Sequence, residues 1–176
     1  MTDRQVSVLR KRRLLILLPD GKIHKLSLPF LTMSFREAPL TGTMLAALTP
    51  EELKFDITLC DASVSKIPYN RDFDLVAISV ITGTAVEGYR LADHFRSRGS
   101  KVVIGGVHAT LLPEEAALHA DSVMTGFGEI VWPQMCRDFC IGALKSRYDG
   151  GSPELVGLPW PRRDLQKRFG YAMPNT

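Results

Sequence analysis

The 176 residues carry 45% hydrophobic and 23% charged side chains and a formal net charge of +3, a balance that suits one soluble domain with a single core. No apolar run reaches the roughly 20 residues that a bilayer span requires, and the polar, basic start from Met1 to Arg13 lacks the apolar centre of a signal peptide. The expectation is therefore a cytoplasmic protein with no membrane partner.

In chain order, residues 1–13 read as a basic lead-in. The cluster Arg10-Lys11-Arg12-Arg13 has no interleaved aromatics, so it reads as a solvated segment and not as a nucleic-acid patch. Leu14-Leu15-Ile16-Leu17-Leu18 is an unbroken apolar run, the signature of a central parallel strand covered on both faces. It closes at Pro19-Asp20-Gly21, and a long polar connection runs to about Leu40. A helix is expected over Thr43 to Leu48 and a second strand over Asp56 to Cys60. The third strand, Asp74 to Ile81, is again almost wholly apolar. Thr84 is placed to cap the next helix with its hydroxyl, and Gly99 ends that helix. The fourth strand, Val102-Val103-Ile104, stops on the pair Gly105-Gly106. Pro113-Glu114-Glu115 opens another helix in the manner that the helix dipole favours. Asp121 to Thr125 forms a fifth strand closed by Gly126-Phe127-Gly128, and Glu129 to about Leu144 forms the last helix.

Five strands alternating with helices predict an α/β doubly wound parallel sheet, with helices on both faces and the flavodoxin-like order 2-1-3-4-5, over residues 14–144. Residues 145–176, with Gly150-Gly151 and several prolines, read as a linker or wrapping tail. Three cysteines, Cys60, Cys136 and Cys140, are too few for a disulfide framework and fit a reducing compartment.

Ligands of open α/β sheets sit outside the carboxyl ends of the strands. Four strand ends there carry candidate contacts. The first offers Asp20 and Gly21, and the third offers Ser79, Val80, Ile81 and Thr82. The fourth offers Gly105, Gly106, Val107 and His108, and the fifth Gly126, Phe127, Gly128 and Glu129. Glycines let a ligand approach bare backbone. The ends of strands one, three and four are expected to form one smooth-floored trench, which Gly106→Leu would plug without unfolding the sheet.

On these residues the chain resembles the N-terminal cobalamin-binding domain of cobalamin-dependent radical S-adenosylmethionine enzymes. The resemblance rests on Ser79 at the end of the third strand, on Gly105-Gly106-Val107-His108-Ala109-Thr110, and on Gly126-Phe127-Gly128-Glu129. Arg36 to Leu40 and Pro161 to Leu165 also resemble that family. The likeness implies a cobalamin-binding module, not catalytic by itself, with cobalamin as partner and its nucleotide tail buried along the sheet. Ser79 would donate to the tail base or to a neighbouring carbonyl. His108 would touch the corrin side chains or stand solvated, and Glu129 and Asp20 would contact the ligand or serve only locally. The cobalt-ligating pattern Asp-x-His-x-x-Gly is broken, because Lys22 and Lys25 stand at its histidine and glycine positions and His24 is out of register. The resemblance thus implies base-off cobalamin with no protein histidine on cobalt and no metal-ligating residue of the chain's own. The family's Cys-x-x-x-Cys-x-x-Cys iron–sulfur loop is not matched. Cys136 and Cys140 have Ala143 in the third position and fall inside a helix. An iron–sulfur cluster and S-adenosylmethionine would then belong to a radical domain or subunit beyond Thr176.

A different class of function keeps the same sheet as a degenerate flavodoxin-like interaction or regulatory module. Phosphorylation of the receiver type is disfavoured, since the third strand ends on Ile78-Ser79-Val80 with no aspartate. A dinucleotide is disfavoured as well, since no Gly-x-Gly-x-x-Gly follows the first strand.

Overall fold

A computed structural model describes residues 11–21, 25–28, 31–152 and 154–173. Lys22 and His24, and most of the basic lead-in, lie outside the described residues. The chain runs β1 (Arg13–Leu18), β2 (Lys25–Leu28), β3 (Leu31–Glu37), α1 (Leu40–Leu48), β4 (Asp56–Asp61), β5 (Leu75–Ser79), α2 (Ala85–Ser97), β6 (Lys101–Gly105), α3 (Val107–Leu111), α4 (Pro113–Ala117), β7 (Ser122–Thr125), α5 (Gly128–Cys140), β8 (Arg147–Asp149) and β9 (Tyr171–Met173).

Six parallel strands form the main sheet in the order β4-β1-β5-β6-β7-β8. The expected order 2-1-3-4-5 is present, with one strand more. That strand, β8, lies beyond residue 144, and its only buried side chain is Tyr148. The Tyr148 hydroxyl donates to Asp138 Oδ2 at 2.7 Å and accepts from the Lys145 N–H at 3.1 Å. One anchored ring thus holds three residues on the sheet edge. A second, three-stranded sheet takes the order β2-β3-β9. Two of its strands occupy the stretch that reads as a long connection from composition alone.

The apolar runs of β1, β5 and β6 feed both faces alternately, because successive side chains of a strand point to opposite sides. Leu15, Leu17, Val76, Ile78, Val102 and Ile104 pack under α2, α3 and α4, which contribute Leu91, Phe95, Ala109 and Ala116. Leu14, Ile16, Leu75, Ala77 and Val103 pack under α1 and α5, which contribute Leu45, Trp132 and Met135. Trp132 is fully buried, and its indole N–H donates to Thr49 Oγ1 at 3.0 Å, which in turn donates to the Leu45 carbonyl at 2.8 Å.

Thr84 occupies the N-cap of α2, but its hydroxyl does not cap that helix. It turns back to the Ile81 N–H and carbonyl, both at 3.2 Å, and closes the turn Thr82–Thr84 at the end of β5. Among the described residues no helix is long and apolar enough to cross a membrane.

Candidate functional site

β5 and β6 run in register to the pair Ser79↔Gly105, so both strands stop at the same level. Above that level lies a pocket of about 530 Å³, within the usual ~300–1,000 Å³ range of ligand sites. Ala77, Ser79, Gly105 and Gly106 lie along its floor side, while Leu45 of α1, Met124 of β7 and Leu111 of α3 contribute walls. The turn Gly126–Gly128, the first turn of α5 at Glu129, and Gly151-Ser152 complete it.

The trench expected at the ends of the first, third and fourth strands is displaced by one strand. The third, fourth and fifth strand ends line the pocket, with α1 over them. The end of β1 contributes Leu18 and Pro19 to a smaller adjoining cleft of about 80 Å³, which shares Thr41, Ser79 and Ile81 with the pocket. Asp20 and Gly21 line neither cavity. Of the other candidates, Ser79, Ile81, Gly105, Gly106, Val107, Gly126, Phe127, Gly128 and Glu129 come together on the pocket. Val80 is a core side chain with no exposure. Thr82 stands exposed on its turn, outside the pocket lining.

His108 is neither a solvated loop residue nor part of the pocket wall. It sits on α3, 5% exposed, with Nδ1 at 3.3 Å from Thr82 Oγ1 and Nε2 at 3.3 Å from Glu115 Oε1. The neighbouring imidazole holds the Glu115 carboxyl below its ordinary value. The histidine thus joins the end of β5 to α4 behind the pocket.

The two glycines of the fourth strand end have different tasks. Gly105 faces Met124, and a Cβ there would lie 3.3 Å from the flexible Cε of that side chain. Gly106 has φ 97° and ψ −178°, a conformation essentially reserved for glycine. A Cβ at Gly106 would meet the Val80 carbonyl oxygen at 2.5 Å and the Ser79 Oγ at 2.9 Å. Gly106→Leu would therefore drive a side chain into the backbone of the β5 turn and break the local fold, not plug an open channel. Gly128 is the position that opens on space: its Cβ would make ordinary contacts, 3.8 Å from Met124 Cε and 4.0 Å from Leu45 Cδ2.

Ser79 Oγ has no hydrogen-bond partner among the described residues, so its hydroxyl is not spent on a neighbouring carbonyl. Exposed apolar side chains rim the mouth, with Ile81 44%, Val107 62%, Leu111 68% and Phe127 39% exposed. A pocket with an apolar rim, glycine backbone and a few hydroxyls suits a large, flat and largely apolar group. The walls supplied by Thr41, Leu45 and Met124 carry no local motif and emerge only from the packing of α1 over the sheet end. The Gly150-Gly151 pair is visible in the sequence, but its place in the wall is not.

The family model described as B12 binding domain matches residues 13–134. Among curated proteins, the chain is similar to bacteriochlorophyllide d C-8(2)-methyltransferase of Chlorobaculum tepidum, 41% identical over 107 residues, which are 60% of this chain and 23% of that protein. It is similar also to bacteriochlorophyllide d C-12(1)-methyltransferase of the same organism, 39% identical over 112 residues, 62% of this chain and 24% of that protein. The chain spans about a quarter of the length of these curated relatives.

Proposed function

Because the chain belongs to the B12 binding domain family, we propose that it holds cobalamin at the carboxyl ends of its parallel strands, with the nucleotide arm taken into the pocket over β5, β6 and β7. The observation that supports this reading best is the pocket itself: about 530 Å³ beside Ala77, Gly105 and Gly106, not filled by the side chains of the adjacent helices. An aromatic base needs such a flat floor, and a Cβ at either glycine would narrow it or disturb its neighbours.

Ser79 offers the hydroxyl that donates to the arm, a contribution on the order of 1 kcal/mol. Ile81, Val107, Leu111 and Phe127 exclude water around the mouth by their apolar surface. Bound there, cobalamin supplies a cobalt centre able to carry a methyl group. The binding is base-off and without a histidine of the chain on cobalt. This reading draws support from His108, the histidine adjoining the strand ends, whose two ring nitrogens already face Thr82 and Glu115.

The chain's own part is to bind and orient. The methyl-transfer chemistry that both relatives' names share belongs, in this proposal, to a radical S-adenosylmethionine domain or subunit that carries the iron–sulfur cluster. Cys136 is fully buried in α5 with its thiol pushed up by burial, which suits a protonated packing residue and not an iron ligand. The free thiols Cys60, Cys136 and Cys140 support a reducing, cytoplasmic setting.

Titration of the cobalamin-free protein with hydroxocobalamin tests the proposal. Uptake with a displaced visible spectrum is expected. A spectrum identical to free hydroxocobalamin, with all ligand passing a desalting column, overturns it.

A further inference from the structure

We infer that Thr110 is a positioning residue for the ligand of this pocket, its hydroxyl acting as the cross-link that fixes the distance between the β6 and β7 turns. The inference rests on the reading of the pocket as a cobalamin site. Thr110 is exposed, lines the pocket and lies in the last turn of α3. Its Oγ1 donates to the Gly106 carbonyl at 3.0 Å and accepts from the Gly126 N–H at 3.1 Å. Bonding back to the carbonyl four residues earlier is an ordinary habit of a helical threonine. The bond to Gly126, sixteen residues away on another turn, is not.

Two features give this bond weight. The paired register between β6 and β7 covers Val103↔Ser122 and Ile104↔Val123 and stops there, so the strand pairing itself does not reach the Gly106 and Gly126 turns. The Thr110 hydroxyl joins the two turns beyond the last register pair. Moreover, both residues it joins are glycines with positive φ, 97° at Gly106 and 67° at Gly126. Neither has a side chain to hold its turn by packing. Gly106 is seated on the Val80 backbone below it, and Gly126 leans on the backbone of Gly151. Between them the threonine hydroxyl is the direct tie among the described residues, and a group that both donates and accepts is required at that point.

Serine keeps that group, and valine keeps the shape without it. In the cobalamin-free protein, Thr110→Val is expected to speed hydrogen exchange of the Gly126 amide, followed by NMR, by about tenfold, as loss of one hydrogen bond implies. The same variant is expected to weaken hydroxocobalamin binding by about tenfold, with Thr110→Ser within about twofold of the parent in both measurements. Unchanged exchange in Thr110→Val overturns the cross-link. Faster exchange with unchanged affinity overturns the positioning role, and so does a Thr110→Ser that binds as poorly as Thr110→Val. If the parent itself takes up no hydroxocobalamin, the reading of the pocket fails and the ligand half of the inference with it, while the exchange arm still decides the cross-link.

Discussion

Gly106 and Gly128 both line the pocket, yet substitution separates them sharply. At Gly106 any Cβ meets the Val80 carbonyl, and φ of 97° already disfavours an L residue. Strain at such a position and overpacking each cost about 1–3 kcal/mol, so Gly106→Ala is expected to lower the urea midpoint markedly, cobalamin or none. Gly128 opens α5 with ordinary contacts around its missing Cβ. Gly128→Leu is expected to leave the thermal midpoint close to the parent's while hydroxocobalamin uptake falls at least about tenfold, if the volume it fills is the one proposed above for the nucleotide arm. Equal uptake by parent and variant would show that the arm lies elsewhere. Both glycines look alike in the sequence. What distinguishes them is the backbone of Val80, brought against one of them by the turn after β5.

Among the elements, the strands with continuous apolar runs are legible because two buried faces demand unbroken hydrophobicity. β1 and β5 announce themselves in this way, and the order of five strands follows from right-handed crossovers. β8 does not, since Arg147 and Asp149 are exposed and Tyr148 alone is inward. α3 escapes notice for a related reason: five residues after paired glycines carry no helical period long enough to read, although Gly105 to Thr110 stands out as a motif. The union of α1 with α5 rests on a buried polar chain with no local signature. Thr49→Val removes the acceptor of the Trp132 N–H. An unsatisfied buried donor costs about 1–3 kcal/mol, and a drop of that size in unfolding free energy is expected from denaturant titration.

Asp121 links β6 to β7 electrostatically. Burial alone would raise its carboxyl, but Lys101 at 2.8 Å, the Val102 N–H at 2.9 Å and the nearby Arg96 outweigh burial and hold it below its ordinary value. A carboxyl depressed by folding stabilises above the unfolded value, about 3.9, and that stabilisation is lost as pH falls through the folded value. Asp121→Asn is accordingly expected to be less stable than the parent at pH 7, by about 1 kcal/mol. The two denaturation midpoints should converge as the solution is acidified below about pH 4. A difference that persists unchanged into acid would assign the effect to packing instead.

For the molecule as a whole, thiol chemistry offers a compact check on the arrangement of its two cores. Burial pushes the Cys60 thiol up to about 12 and raises Cys136 and Cys140 as well. Cys60 and Cys136 are 3% and 0% exposed, one in each core, while Cys140 is half-buried at the end of α5. Thiolate is the reactive form, so iodoacetamide at neutral pH is expected to leave Cys60 and Cys136 untouched in the native protein and to label all three after denaturation, as read by intact mass. Rapid native labelling of Cys60 or Cys136 would mean that the corresponding face of the sheet is not covered.

The meeting of the turn 125–127 with Gly150 and Gly151 reaches beyond the pocket wall. Phe127 N–H donates to the Gly151 carbonyl at 3.1 Å, the Gly150 N–H donates to the Thr125 carbonyl at 2.9 Å, and Asp149 Oδ1 accepts from both Thr125 Oγ1 at 3.1 Å and the Gly151 N–H at 3.0 Å. A Cβ at Gly126 or Gly150 would strike the facing main chain, so the two backbones meet directly at these glycines. The chain that follows β8 and the turn at the mouth of the cavity therefore share one fastening, made of two main-chain bonds and one carboxylate.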